Sequence, residues 1–157
     1  MRRAAPLLIL ALIGCTRANK ELLPYLGKWN GAFEVEAMPG AKANDLKRET
    51  LRGYLVLYAT SRRFVMRLEG EQQAADLDGT WTLKGKQAEL KATKVLIDDQ
   101  GGEELRDPNK KWIPATDLKP KLESPIILNL SADTQRLTGP GISIGTRQGA
   151  FRFRRGD

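Results

Sequence analysis

Along most of this chain apolar and polar residues alternate one for one, the period of a strand with one buried face. Trp29, Gly31, Phe33 and Val35 alternate with Lys28, Asn30, Ala32, Glu34 and Glu36, which predicts a first strand over 27–36. Pro39 and Gly40 mark a loop over 38–44, and a charged run over 45–52 leads into a second strand at 55–58 that is apolar on both faces. After a turn at 60–62, Phe64, Met66 and Leu68 alternate with Arg63, Val65, Arg67 and Glu69, giving a third strand. Leu77, Gly79, Trp81 and Leu83 alternate with Asp76, Asp78, Thr80, Thr82 and Lys84, and the polar turn Lys84-Gly85-Lys86-Gln87 feeds 88–97, so these two strands read as a hairpin. Further strands are expected at 126–130, at 136–138 before a Gly-Pro-Gly break at 139–141, and at 150–154.

About eight short strands at hairpin spacing, with no long helical period, predict an all-β domain. A closed antiparallel barrel is the preferred form, because closure leaves no exposed edges and eight strands enclose a space that side chains fill or that holds one small ligand. The domain is expected to span 21–157, with a helical turn before the first strand and one interruption. From 98 to 124, Gly101-Gly102, Pro108, Pro114 and Pro120 break any period, which predicts a long loop.

The first fifteen residues have another character. Arg2 and Arg3 precede a nearly unbroken apolar run over 7–13, and Gly14 stands directly before Cys15, the one cysteine of the chain. Charge, apolar run and small residue in that order predict a signal peptide over 1–14. The run is too short to cross a bilayer, which takes roughly 20 residues. Leu12-Ile13-Gly14-Cys15 resembles the lipobox of bacterial lipoproteins. That resemblance implies diacylglycerol on the Cys15 sulfur, cleavage before it, acylation of the new amino terminus and a lipidated tether over 15–20. An exported, membrane-anchored protein follows, held by several acyl chains at about 0.8 kcal/mol per buried methylene. Thr16 is not the aspartate that favours inner-membrane retention, so in a diderm source the expected place is the outer membrane, facing the periplasm; otherwise it is the outer face of the cell membrane.

Gly27-x-Trp29 on the first strand, Gly79-x-Trp81 later, and the ending Phe151-Arg152-Phe153-Arg154-Arg155 resemble bacterial lipocalin-like lipoproteins. In that family the tryptophan plugs one barrel end and an arginine near the last strand packs across its ring. The resemblance implies that Arg152 or Arg154 stacks on Trp29, and that Trp29, Trp81, Phe33, Phe64 and Met66 close the barrel or line a ligand pocket.

Composition removes most catalytic chemistry. The chain has no histidine, and lipidation would occupy its only thiol, so His-dependent triads, Cys nucleophiles and a soft-metal site lack their residues. Asp76 and Asp78 lie two apart on one strand face, and Asp98, Asp99, Glu103, Glu104 and Asp107 crowd one loop, but without the spacing of a calcium loop. They read as solvated faces; no metal and no cofactor is assigned. The net charge is +7, about five once Arg2 and Arg3 are removed, and it is spread along the chain. For an exported protein that favours anionic envelope surfaces over nucleic acid. Lys110-Lys111-Trp112 in the long loop is an aromatic beside two cations and a candidate partner contact. The terminal Arg155-Gly156-Asp157 tripeptide reads as coincidence.

The expectation is therefore a non-enzymatic, lipid-anchored envelope protein that binds a small or apolar ligand in its barrel. The alternative is a filled barrel whose long loop binds an envelope protein, a wall polymer or a foreign enzyme.

Overall fold

The computed structural model describes residues 20–35, 50–70, 74–98, 111–118, 122, 124–144 and 147–156. Among the described residues nine strands follow one another: β1 (Gly27–Val35), β2 (Thr50–Leu57), β3 (Arg63–Glu69), β4 (Ala74–Lys84), β5 (Gln87–Asp98), β6 (Ile113–Pro114), β7 (Ile126–Leu130), β8 (Arg136–Ile144) and β9 (Arg147–Arg155). Every pairing is antiparallel. The sheet runs β4-β3-β2-β1-β9-β8-β7-β5, and β4 pairs again with β5, so eight strands close on themselves. β6 is an added short strand on β5. The expected all-β barrel is the fold.

Alternation decides the inward face. On β3, Phe64, Met66 and Leu68 are buried between half-buried or exposed neighbours, and on β9 Phe151 and Phe153 do the same between Arg152 and Arg154. Trp29, Phe33, Leu51, Leu55, Leu77, Leu90, Leu128 and Leu137 complete the same cluster from the other strands. The two-residue turn Gly85-Lys86 joins β4 to β5 with Gly85 at φ +60°, the left-handed region where glycine meets no steric cost.

Three boundaries differ from the sequence expectation. β2 begins at Thr50 rather than 55, because Thr50 and Leu51 register against Glu34 and Phe33 and Leu51 is buried. Gly139-Pro140-Gly141 does not end a strand: β8 runs through to Ile144, and the pairing with β9 shifts register between Thr138 and Gly141. Proline and glycine here make an irregularity within a strand, their usual tolerated place in a sheet. β9 correspondingly starts at Arg147.

The described part of 98–124 is not simply loop. β7 covers only Gln87–Leu90 of the twelve-residue β5, and β6 takes up the next stretch by pairing Ile113 and Pro114 with Val95 and Lys94. A short 3-10 turn over Ala115–Asp117 follows, and Leu118 and Leu122 are buried in the core cluster. The insertion thus completes a wall that the short β7 leaves unfinished.

Candidate functional site

The chain gathers Trp29 and Trp81, its amino-terminal turn and its last strand at one end of the barrel. The β2–β3, β4–β5 and β7–β8 turns all lie at this end, as do the start of β1 and the finish of β9. A helical turn at 20–22 drops Leu22 and Tyr25 into the opening, where both are buried. Trp29 donates its indole Nε1–H to the Tyr25 carbonyl at 2.8 Å, and Trp81 donates to the Tyr58 carbonyl at 3.0 Å, so neither fully buried ring leaves a polar atom unmet. Tyr25 reaches across to donate its hydroxyl to the Lys86 carbonyl at 2.9 Å, and its ring lies 6.5 Å from that of Trp81. Burial lifts the Tyr25 phenol above its ordinary pKa.

Each of these two rings carries a guanidinium on its face, Arg155 at 4.6 Å from the Trp29 ring centre and Arg62 at 5.3 Å from that of Trp81. The expected partner of Trp29 was Arg152 or Arg154; the structure puts Arg155 there. The reason is the period of the strand. Phe151, Phe153 and Arg155 share the inward set, while Arg152 and Arg154 are exposed on the outer face, Arg152 in an ion pair with Glu34 at 2.7 Å. Arg155 also donates to the carbonyls of Pro24, Leu26 and Thr134, tying the amino-terminal turn and the β7–β8 turn to the last strand. The Arg155 guanidinium of the terminal tripeptide is thus engaged within the fold.

Above this seal, a continuous run of inward-facing side chains is closed to water. Phe33 and Phe151 pack with ring centres 5.0 Å apart, and Phe151 and Phe153 stack at 5.7 Å. Phe64, Met66, Trp81 and these rings have essentially no exposed surface, and neither do Leu51, Leu68 and Ala75 toward the opposite end.

No protein-family model and no curated protein matches this sequence. Among solved structures, that of Rv2717c from M. tuberculosis is similar over 89% of this chain and 98% of its own, with 15% identity and a TM-score of 0.39. A likeness that loose carries no functional argument.

The remaining sequence candidates fall elsewhere. Asp76 and Asp78 do not stand as a solvated pair. Asp78 is buried, 8% exposed, and accepts from Arg63 Nε at 3.0 Å and from its terminal nitrogen, which holds the Arg63 pKa above its usual value. Asp76 faces Arg67 across the β3–β4 register at 4.0 Å. Each carboxylate is thus met by an arginine of β3, an arrangement that ties two strands and presents no convergent acid–base pair. Among the described residues no group of three or more Asp, Glu, Cys or His side chains gathers as a metal site.

Trp112 is 43% exposed on the outer wall beside exposed Ile113, and the ammonium above its ring at 5.8 Å is that of Lys94 on β5. Lys111 is exposed next to it. Sequence reading missed Lys94 because its proximity to Trp112 arises from the β5–β6 pairing. Cys15 and Lys110 lie outside the described residues.

Proposed function

We propose that this protein is a non-enzymatic interaction module of the bacterial cell envelope, a lipocalin-like barrel with a filled interior that acts through its outer surface. The observation that carries this reading is the closure of the inward side chains to water from Trp29 and Trp81 through to Phe33, Leu51, Leu68 and Phe151. A small-molecule carrier keeps a pocket of roughly 300 Å³ or more, lined by the side chains that hold the ligand. Side chains with essentially no water-accessible surface present no such lining.

The envelope location rests on the amino terminus: the basic, apolar and small-residue order ending at Cys15 supports export and lipid attachment there. Incorporation of radiolabelled palmitate by a bacterium expressing the chain tests this part. Label is expected in the unaltered protein and absent from Cys15→Ser; equal labelling of both would overturn the anchor.

A second reading, a carrier of a small apolar ligand, is favoured by the tryptophan–arginine seal. Sealing one end of a barrel with side chains is the arrangement expected of a cup. Native mass spectrometry separates the two: a bare protein mass is expected, and a discrete apolar molecule released on denaturation would overturn the filled-barrel reading.

A further inference from the structure

The outer face of β2, β1, β9 and β8 carries a hollow of about 780 Å³ whose lining includes Arg52, Arg136, Arg152 and Arg154. Register sets their spacing. Arg136 lies directly opposite Arg154, and Arg154 opposite Asn30, in one row across three strands. Arg52 and Arg152 flank Ala32 in the next row, two strands apart and so about 10 Å from each other. Ala32 contributes only a methyl group and Asn30 a short amide, so the middle of the row is low and the arginines stand around it. Thr50 and Thr138 add hydroxyls at the rim. A smaller hollow of about 310 Å³ shares Arg136 and Arg154 and continues toward the sealed end.

The charge of this hollow is unbalanced. Against four arginines its lining has one carboxylate, Glu34, which pairs with Arg152 at 2.7 Å. Arg136 touches Asp133 outside the hollow at 3.4 Å. Among the described residues neither Arg52 nor Arg154 forms an ion pair; Glu69, opposite Arg52 on β3, bonds Arg67. Like charges held this close cost free energy unless something anionic offsets them.

We propose that this hollow binds a soluble ligand carrying two or more phosphate groups. Arginine forks match phosphate oxygens in pairs, and a phosphate has enough acceptors to bridge the facing Arg136 and Arg154. Arg52 stands two strands from Arg154 and three from Arg136, so a second anionic group on one molecule lets the ligand use the whole set. The concave form, low at Ala32 and Asn30, suits a compact molecule or chain end better than a planar bilayer surface. The proposal deepens the surface-acting reading by naming what the surface takes. The two fail separately, since an apolar molecule found inside the barrel would leave phosphate binding at the hollow untouched.

The test is calorimetric titration of the full chain with inositol hexakisphosphate at low salt. Saturable binding is expected, weakening at least tenfold in Arg52→Gln/Arg154→Gln with the thermal midpoint unchanged, and weakening little in Lys86→Gln/Lys91→Gln, which removes the same charge elsewhere. Absence of binding at millimolar probe would overturn the proposal, as would equal weakening in both double variants, which signifies diffuse charge. Sedimentation with phosphatidylglycerol vesicles distinguishes the lipid source: capture by vesicles that the soluble probe does not displace would overturn it in favour of membrane docking.

Discussion

Replacing Arg155 tests the sealed end most directly. Its guanidinium lies 4.6 Å from the Trp29 ring centre and donates to the carbonyls of Pro24, Leu26 and Thr134, the last two at 3.4 Å. The stack contributes about 0.5–2 kcal/mol. A charge-assisted hydrogen bond contributes about 1.5–3 kcal/mol when well made. Because Arg155 is half-exposed and two of its contacts are long, only the Pro24 bond counts in full, at the low end. Arg155→Ala is therefore expected to cost about 2–3 kcal/mol, a fall in Tm of roughly 4–12 °C at about 2–4 °C per kcal/mol. Arg155→Lys keeps the charge but loses the planar face and the fork, and should fall between. Urea denaturation followed by tryptophan emission measures both, since Trp29 is itself the probe. Arg154→Ala, one residue away on the opposite face, should stay within about 0.5 kcal/mol, and Arg152→Ala, losing an exposed ion pair, within about 1 kcal/mol. A loss at Arg154 equal to that at Arg155, or no loss at Arg155, would refute the assignment of these faces.

The buried Tyr25 phenol has a pKa above its unfolded value near 10. Its contribution to stability is fully present below that value and is lost as pH rises through the higher folded one, so stability should drop above about pH 10 and drop less in Tyr25→Phe, as alkaline melting curves of the two proteins will show. At Gly53 a Cβ would sit 1.8 Å from the Arg67 carbonyl oxygen of the paired strand. Gly53→Ala should then cost about 1–3 kcal/mol or more, whereas Gly85→Asn at the open β4–β5 turn should cost little, a contrast that thermal melts report. Removing Arg63 strands the buried Asp78 carboxylate, while removing Asp78 leaves Arg63 to water. Arg63→Ala should accordingly destabilise more than Asp78→Ala in urea titrations, and the reverse order would contradict the burial of Asp78.

Much of the candidate site was legible residue by residue. Trp29 and Trp81 were readable as inward plugs because each follows a glycine at two-residue spacing on an alternating strand, and Phe33, Phe64 and Met66 for the same reason. The arginine that meets Trp29 was not, although the signal was present: Phe151 and Phe153 place Arg155, and not Arg152 or Arg154, on the inward set. The Gly-Pro-Gly of β8 misled because β9 supplies partners beyond it, from Gly141 to Ile144, and carries the strand past the local turn chemistry. β6 was hidden because two residues carry no period.

Periodicity by itself determined that this chain is an antiparallel all-β protein, where most strands lie and which side chains face inward, since a strand's two faces follow from alternation alone. Composition determined equally that no histidine or internal disulfide takes part. Only the tertiary structure decided what depends on register between distant segments. Closure of β1 onto β9 brings Arg152 and Arg154 beside residues of β1, with Arg52 and Arg136 on the flanking strands, and turns charge that looks evenly spread into one cationic hollow. The same pairing seats Arg155 on Trp29, and the shortness of β7 turns an irregular insertion into part of the wall. Alternation is a property of neighbours in sequence, whereas register couples residues about a hundred positions apart, and their distance in space is set only when the barrel closes.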